Sequence, residues 1–464
     1  MHIGSGMFHR AHQAYYLDKL NNKLDEEEKE KENSGISRWS IALGNIRDDV
    51  GDILEVLQRQ HCKYTLETVD SVGDRQHHVI KSIKIIVPYD QDGKHLVQQG
   101  AHVDTKVISF TVTESGYYYD VNLQLVATHP DIQHDLKGGC KTIYGSITKI
   151  LRERMKITGT ADSRITLLSC DNVRKNGVVF KTCYQQFLEM VGDKMLLEWF
   201  QANTTCPNTM VDRITPRPPA DLVARVATLH QDFEDRAPVM CEKFTQWVIE
   251  DNFIIGRPAL EKVGVEFTQD VKPYEEAKVR ILNASHCILA WGGTLKGYTY
   301  IHEGMRDPQI KTMAYDYITN DVIPTLKAKT PLNLESYRDI ALDRFSNPYL
   351  ADTNQRVSSE GYTKIPGFVV PTITACFQRG DAPRSSIRLV ALFFVLLQRS
   401  YQGKLPYIYV DAVLTKEMLN NIFKATDPVQ AFAHDQVLFG TLKDNAQFVS
   451  LVHEEVVQVN AWLG

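Results

Sequence analysis

The sequence predicts an α/β first domain, residues 1–266, followed by a mostly α-helical second domain, residues 267–464. Three observations carry this. The chain opens with a short strand, a Gly-x-Gly turn and a helical stretch. Short buried strands then recur, each ending in a polar loop. Past Phe267 alternation gives way to long segments of helical apolar period.

Composition sets the outer bounds. With 464 residues, 43% hydrophobic and 23% charged, the chain has ordinary globular composition and length for two domains with large cores. A net charge of −5 gives no reason to expect nucleic acid or an anionic membrane as partner. The longest apolar run, Leu389–Leu397, is too short to span a bilayer. No signal peptide opens the chain, and eight cysteines without a CxxC pair read as reduced, cytoplasmic thiols rather than disulfides or a zinc site.

In chain order, Met1–Ile3 is a strand short for a central position. It runs into Gly4-Ser5-Gly6-Met7-Phe8 and a helix, His9–Leu20. This is the phosphate-cradling start of a dinucleotide fold: glycine lets the backbone approach a pyrophosphate, and the helix N-terminus supplies N–H groups. Gly4, Gly6, Met7, Phe8, His9 and Arg10 are the expected cofactor-side residues, although the third glycine of the usual fingerprint is absent. Asp25–Glu32 (DEEEKEKE) is charged throughout and reads as a solvated helix extension or a mobile loop. Trp39–Gly44 is a second strand, followed by Asn45-Ile46-Arg47-Asp48-Asp49 and a helix through Leu57. Asp48 or Asp49 stands where a ribose-binding acid would repel a 2′-phosphate and favour NAD over NADP. Arg47 pulls the other way, and the acids could simply open the next helix.

His78–Val87 alternates like a half-exposed strand, and Lys106–Thr113 reads as a more buried one. The latter ends in Thr113-Glu114-Ser115-Gly116-Tyr117, at the strand end where open α/β sheets bind ligands, so Thr113 and Glu114 join the cofactor set. Lys141–Met155 has the helical period at Ile143, Ile147, Ile150 and Leu151. Ile165–Ser169 is a buried strand, and Cys170-Asp171-Asn172 places Asn172 at the same ligand edge, unless it is only a turn former. Met210–Pro216 (MVDRITP) brings Asp212 and Arg213 to a Pro-rich turn.

In the second domain Met313–Ile323, Leu334–Phe345, Ile387–Gln402, Lys416–Ala425 and Ala446–Leu463 read as helices. The segment of most chemical interest is Pro273–Trp291 (PYEEAKVRILNASHCILAW). Pro273 suits a first helical turn, and Glu275 and Glu276 sit where the helix dipole favours anions. At roughly 100° per residue, Asn283 lies about 140°, His286 about 80° and Glu275 about 60° round from Lys278. One face of an apolar helix thus carries an acid, an amine, an amide and an imidazole, which is costly unless they are paired or used. Any one of them alone reads as a solvated or satisfied residue; the set of four favours a site. Between the later helices lies a charged, amide-rich loop, Asp352-Thr353-Asn354-Gln355-Arg356, with Lys364 eight residues on, a candidate ligand clamp.

These stretches resemble the long-chain mannitol dehydrogenase family over nearly the whole chain. The matching residues are GSGMFHRAHQA, TESGYY, SCDN, MVDRITPRP, the Lys278-x4-Asn283-x2-His286 helix and NPYLADTNQRV. The short first strand and the acidic insertion around Glu28 depart from it. The resemblance implies a Rossmann-type domain that holds NAD, a helical domain that closes over a polyol or ketose, a monomer, and no metal. It implies Lys278 as general base, and Asn172 and Asn283 as the amide pair on the substrate oxygen. By the same resemblance His286 positions the substrate hydroxyl and Glu275 passes the proton to solvent. Arg356 and Lys364 would then belong to the substrate clamp, and Asp212 to the pocket wall. The residues are consistent with this chemistry. An alcohol is a very weak acid, a lysine serves as its base only when neutral, and burial favours the neutral form. Two asparagines can stabilise the developing alkoxide where other enzymes use zinc, and no Cys/His/Glu cluster has ligand spacing. A mannitol, uronate or sugar-phosphate enzyme and a catalytically silent dinucleotide-binding protein are the competing readings.

Overall fold

The computed structural model describes residues 1–30, 38–48, 52–120, 122–157, 163–229 and 233–464. They form two compact units, Met1–Val69 with Arg75–Lys272 and Asp70–Asp74 with Pro273–Gly464. The strands are β1 (His2–Ile3), β2 (Ile41–Gly44), β3 (Tyr64–Val69), β4 (Arg75–Ile80), β5 (Ile83–Ile86), β6 (Val107–Phe110), β7 (Ile165–Ser169), β8 (Thr204–Thr205), β9 (Thr209–Asp212), β10 (Val239–Glu242), β11 (Gln246–Glu250) and β12 (Glu266–Thr268).

Six of these form a parallel sheet in the order β5-β2-β1-β6-β7-β8. Numbered within that sheet the order is 3-2-1-4-5-6, the doubly wound Rossmann arrangement. Every residue of β2 and β7 is buried, as parallel strands covered on both faces require. β1 is short, but both neighbours hold it: His2 lies opposite Leu43 and Ser109, and Ile3 opposite Gly44 and Phe110. The strand order reverses between β1 and β6, which makes their C-terminal ends the topological switch point. Two three-stranded sheets, β10-β3-β4 and β12-β11-β9, complete the unit and have no counterpart in the sequence reading except the segment at β4.

Three readings need correction. His78–Val87 is not one strand. β4 pairs antiparallel with β3 while β5 joins the parallel sheet. The break falls where the Lys81 N–H donates to Asp18 Oδ1 (2.6 Å) and the Ser82 hydroxyl to the Ala14 carbonyl (2.7 Å), tying the chain to a helix instead of a ladder. The first helix starts at Met7, breaks at His12 and resumes as Gln13–Glu30. That second piece takes in the acidic run as far as Glu30, and Arg38 pairs with Asp25 and Glu28; Lys31 and Glu32 lie outside the described residues, as does Asp49. Finally, Pro273–Trp291 is not a uniform α-helix: Lys272–Ala277 and Ala284–Leu295 are α, and Lys278–Asn283 between them is π.

The second unit is helical. Leu334–Phe345 and Ala446–Leu463 form with the expected bounds, and Arg384–Tyr401 contains the longest apolar run. Every residue of Leu389–Leu397 is buried, as an all-round apolar helix must be. Trp291 is fully buried against Phe393, with ring centroids 4.7 Å apart. No helix among the described residues is long and apolar enough to cross a membrane.

A buried row of neutral imidazoles underlies the N-terminal turn. The His12 Nε2–H donates to the Gln246 carbonyl (3.0 Å), so His12 Nδ1 accepts from the Gln13 amide (3.1 Å), and Gln13 Oε1 accepts from His9 Nδ1 (3.3 Å). The His9 ring stacks on His2, centroids 3.4 Å apart. A second proton on His12 would face an amide donor. Burial, above all, lowers both His9 and His12 to about 3. Their neutral forms stabilise the fold above the unfolded imidazole pKa of about 6.5, and that contribution is lost as pH falls from there towards 3. Unfolding free energy from urea titrations between pH 7 and 5 should therefore fall by up to about 1.4 kcal/mol per pH unit for each histidine. A His12→Gln variant should show a shallower slope; an identical slope in variant and wild type would contradict the assignment.

Candidate active site

In the first unit the expected cofactor residues gather at the C-terminal ends of β1, β2 and β6. Gly4 has φ +118°, and a Cβ there would lie 2.4 Å from the Thr111 carbonyl oxygen, so only glycine lets the chain leave β1 past β6. Gly6 differs: its φ is −62°, and a Cβ would meet nothing within 4 Å. The space beside Gly6 is open, as the close approach of a backbone to a pyrophosphate requires in this fold. Met7 and Phe8 are half-buried, whereas His9 and Arg10 point inward. The Arg10 guanidinium donates to the carbonyls of Ser5 (3.3 Å) and Ala237 (2.6 Å), bracing the glycine turn from behind. His9 and Arg10, expected on the cofactor side, are thus buried, and Arg10 supports the turn from within.

After β6, Thr113 takes φ +66°, a strained value for a β-branched residue. It is held by Asp171, which follows β7 and which the sequence reading passed over. The Asp171 carboxylate accepts from the N–H groups of Val112 (3.0 Å) and Thr113 (2.9 Å) and from the Tyr117 hydroxyl (2.9 Å). Burial raises its pKa to about 6 against those donors. One carboxylate therefore clamps the two loops at the ligand edge, and strain of this kind concentrates at functional sites. Thr113, Glu114 and Asn172 are exposed on these loops, and Asp48 is exposed beyond β2. Arg47, which could have met a 2′-phosphate, bonds the Tyr118 hydroxyl and lies 3.4 Å from Asp131. Asp212, the last residue of β9, is buried. A cavity of about 390 Å³ in this unit is lined by Met1, His2, His9, Ile41, Val107 and Trp247, with Ile41 and Val107 beginning β2 and β6.

In the second unit the helix Lys272–Leu295 carries Glu275, Lys278, Asn283 and His286. Glu275 and Lys278 are each only 6% exposed. The π segment runs from Lys278 to Asn283. The i→i+5 winding of a π segment reduces the angle between Lys278 and Asn283 from the about 140° of α spacing. The sequence period could not show this.

His286 stacks on Phe345 (centroids 4.6 Å apart), and its Nε2 lies 3.5 Å from Asp352 Oδ2. Burial lowers the imidazole pKa against the opposing pull of Asp352. Arg356 bonds the same carboxylate side-on, Nε to Oδ1 and NH2 to Oδ2, both at 2.6 Å. The expected polar loop is in fact the start of a short helix, Asn354–Ser358, with Thr353 as its N-cap. It is fastened to the neighbouring backbone by the Ile301 N–H to the Asp352 carbonyl (2.9 Å), the Asn354 amide to the Tyr298 carbonyl (2.9 Å) and the Trp291 indole to the Ser358 carbonyl (3.2 Å). Lys364 Nζ donates to the Val357 carbonyl (2.6 Å) at the other end of that helix. His286 thus joins Arg356 and Lys364, expected together in one clamp, in a single cluster. Among the described residues no group of three or more His, Cys, Asp and Glu side chains is placed to hold a metal ion.

A Rossmann sheet with a glycine turn at its switch point, joined to a helical unit carrying a buried lysine, defines an NAD-dependent oxidoreductase of the two-domain kind. Residues 1–262 match the mannitol dehydrogenase Rossmann domain and residues 270–460 the mannitol dehydrogenase C-terminal domain. The chain belongs to the mannitol dehydrogenase family. It is 48% identical to D-arabinitol 4-dehydrogenase of Klebsiella pneumoniae, over 99% of this chain and 97% of that protein. It is also 48% identical to the D-arabinitol 4-dehydrogenase of Ralstonia nicotianae, over 100% and 96%. Among solved structures it resembles Pseudomonas fluorescens mannitol 2-dehydrogenase in ternary complex with NAD and D-mannitol, with a TM-score of 0.83 and 34% identity over 99% of this chain and 91% of that one.

The two glycines should separate experimentally. Gly6→Ala, whose methyl meets open space in the free protein, should leave the thermal midpoint within about a degree while weakening NADH binding by roughly tenfold or more. Gly4→Ala should lower both. Unchanged NADH affinity in Gly6→Ala, read by nucleotide fluorescence titration, would show that the nucleotide does not lie against this turn.

Proposed function

We propose that this NAD-dependent polyol dehydrogenase interconverts D-arabinitol and D-xylulose, oxidising the C4 hydroxyl without a metal ion. The carrying observation is the buried Lys278 on a helix that also presents Glu275, Asn283 and His286. The full-length similarity to two D-arabinitol 4-dehydrogenases supports the choice of polyol.

The reaction removes a proton from oxygen and a hydride from carbon, leaving a ketone. NAD⁺, when bound, would supply the hydride acceptor. Gly4, Gly6, Met7 and Phe8 with Thr113 and Glu114 would hold the nucleotide, and Asp48 its ribose. Arg47 is already engaged by Tyr118 and Asp131, which supports NAD over a 2′-phosphorylated form. Lys278 takes the hydroxyl proton. A buried amine is less costly neutral than charged, so the proton is passed on, through Glu275, towards water. Asn172 and Asn283 donate to the oxygen as charge develops, a role worth about 10²–10³ in rate per donor in comparable sites. His286 orients the hydroxyl, and Asp212, Arg356 and Lys364 line the substrate pocket. Because the Arg356 guanidinium already spends its Nε/NH2 edge on Asp352, an anionic substrate would compete with a built-in carboxylate. This supports a neutral polyol over a uronate or sugar phosphate. The same reading takes the protein as a cytoplasmic monomer.

Lys278→Ala should abolish polyol oxidation and leave NADH affinity near wild type; retention of most turnover would remove Lys278 as base. An absorbance assay at 340 nm across five- and six-carbon polyols, ketoses and acidic sugars, with NAD and NADP, should give the highest kcat/KM for D-arabinitol with NAD. A preference for an acidic sugar, or NADH binding without turnover on any polyol, would overturn the proposal.

A further inference from the structure

We infer that Asp352 is a positioning residue of the reaction, fixing the tautomer of His286 and the presented edge of Arg356 through one buried carboxylate. The inference rests on the reading that His286 and Arg356 face the substrate. Asp352 is only 8% exposed, and its two oxygens serve both neighbours at once.

A carboxylate only accepts hydrogen bonds. The His286 nitrogen that faces Asp352 is Nε2, and it has no other partner. The proton therefore belongs on Nε2, leaving the Nδ1 lone pair to accept from a substrate hydroxyl. At 3.5 Å the contact is long, as catalytic hydrogen bonds often are before a ligand tightens them. Phe345 stacks on the ring and limits its tilt. On the other side, Arg356 gives Nε and NH2 to the carboxylate, which leaves the NH1 edge for a substrate hydroxyl. Burial alone would raise the Asp352 carboxyl; the nearby His286 ring and the Arg356 guanidinium outweigh it and hold the carboxyl well below the usual carboxylate range. The group stays an acceptor throughout the working pH range. It is itself fixed, because the backbone carbonyl of Asp352 accepts from the Ile301 N–H and the Thr353 cap starts the helix that carries Arg356.

Asparagine at this position keeps the shape but can turn an amide N–H towards Nε2, moving the histidine proton to Nδ1. Asp352→Asn should lower kcat on D-arabinitol by about ten- to a hundredfold, the usual scale for groups that orient an active residue. It should also raise KM through Arg356, with NADH affinity within about twofold of wild type. Asp352→Glu should fall between asparagine and wild type. In a His286→Ala background the asparagine change should cost less than about threefold in kcat, since coupled residues do not add. The same double-variant comparison runs with Asp352→Glu should the asparagine protein not fold. Wild-type kinetics in Asp352→Asn, a glutamate no better than asparagine, or a full loss persisting on top of both His286→Ala and Arg356→Ala would each overturn the inference. If His286→Ala and Arg356→Ala are impaired while Asp352→Asn is not, the positioning role alone falls. If those two single variants turn over like wild type, the site reading falls and takes this inference with it.

Discussion

The constraint on which this structure turns is the burial of a polar set on an apolar helix. Lys278 and Glu275 are almost wholly removed from water in a segment whose other residues build a core. Such groups persist in proteins when each is paired or used. Two devices make the arrangement tenable here. The π segment brings Asn283 nearer to the direction of Lys278 than α spacing would, and a single carboxylate, Asp352, serves the imidazole and the guanidinium. In an ordinary α-helix of the same sequence Asn283 would lie about 140° round from Lys278.

The first unit meets a different demand with similar economy. A dinucleotide fold needs the backbone to turn sharply beside its central strand, and the turn cannot tolerate a Cβ at Gly4. Arg10 braces that turn from inside through two carbonyls, over the buried row of neutral histidines. Across the switch point Asp171 holds Thr113 in a conformation it would not adopt alone. Both units therefore use one buried carboxylate to fix two neighbouring elements: Asp171 for two loops, Asp352 for two side chains.

Much of this was legible in the chain. Ile165–Ser169, Leu334–Phe345 and Ala446–Leu463 occur with the bounds their apolar period indicated, because each has one dominant buried face or is buried throughout. The polar positions of the Pro273–Trp291 segment stood out for the converse reason. What the sequence hid was tertiary. The split between β4 and β5 depends on Asp18 and the Ala14 carbonyl, more than sixty residues earlier. The π register leaves no periodic mark in six residues. Asp171 and Asp352 sat in loops already noted as polar, but neither looks different from its neighbours until its partners are seen. His9 and Arg10 read as ligand-facing because the motif places them beside the glycines, whereas their side chains turn back into the protein.

The central claim is that Lys278, uncharged, takes the alcohol proton. Chemical rescue tests it most directly. Small primary amines of graded basicity, added to Lys278→Ala with NAD and D-arabinitol, should restore turnover, and the rescued rate should rise with amine basicity once steric size is allowed for. Absence of rescue by amines small enough to enter the space left by the side chain, or a rescued rate indifferent to basicity, would contradict the account.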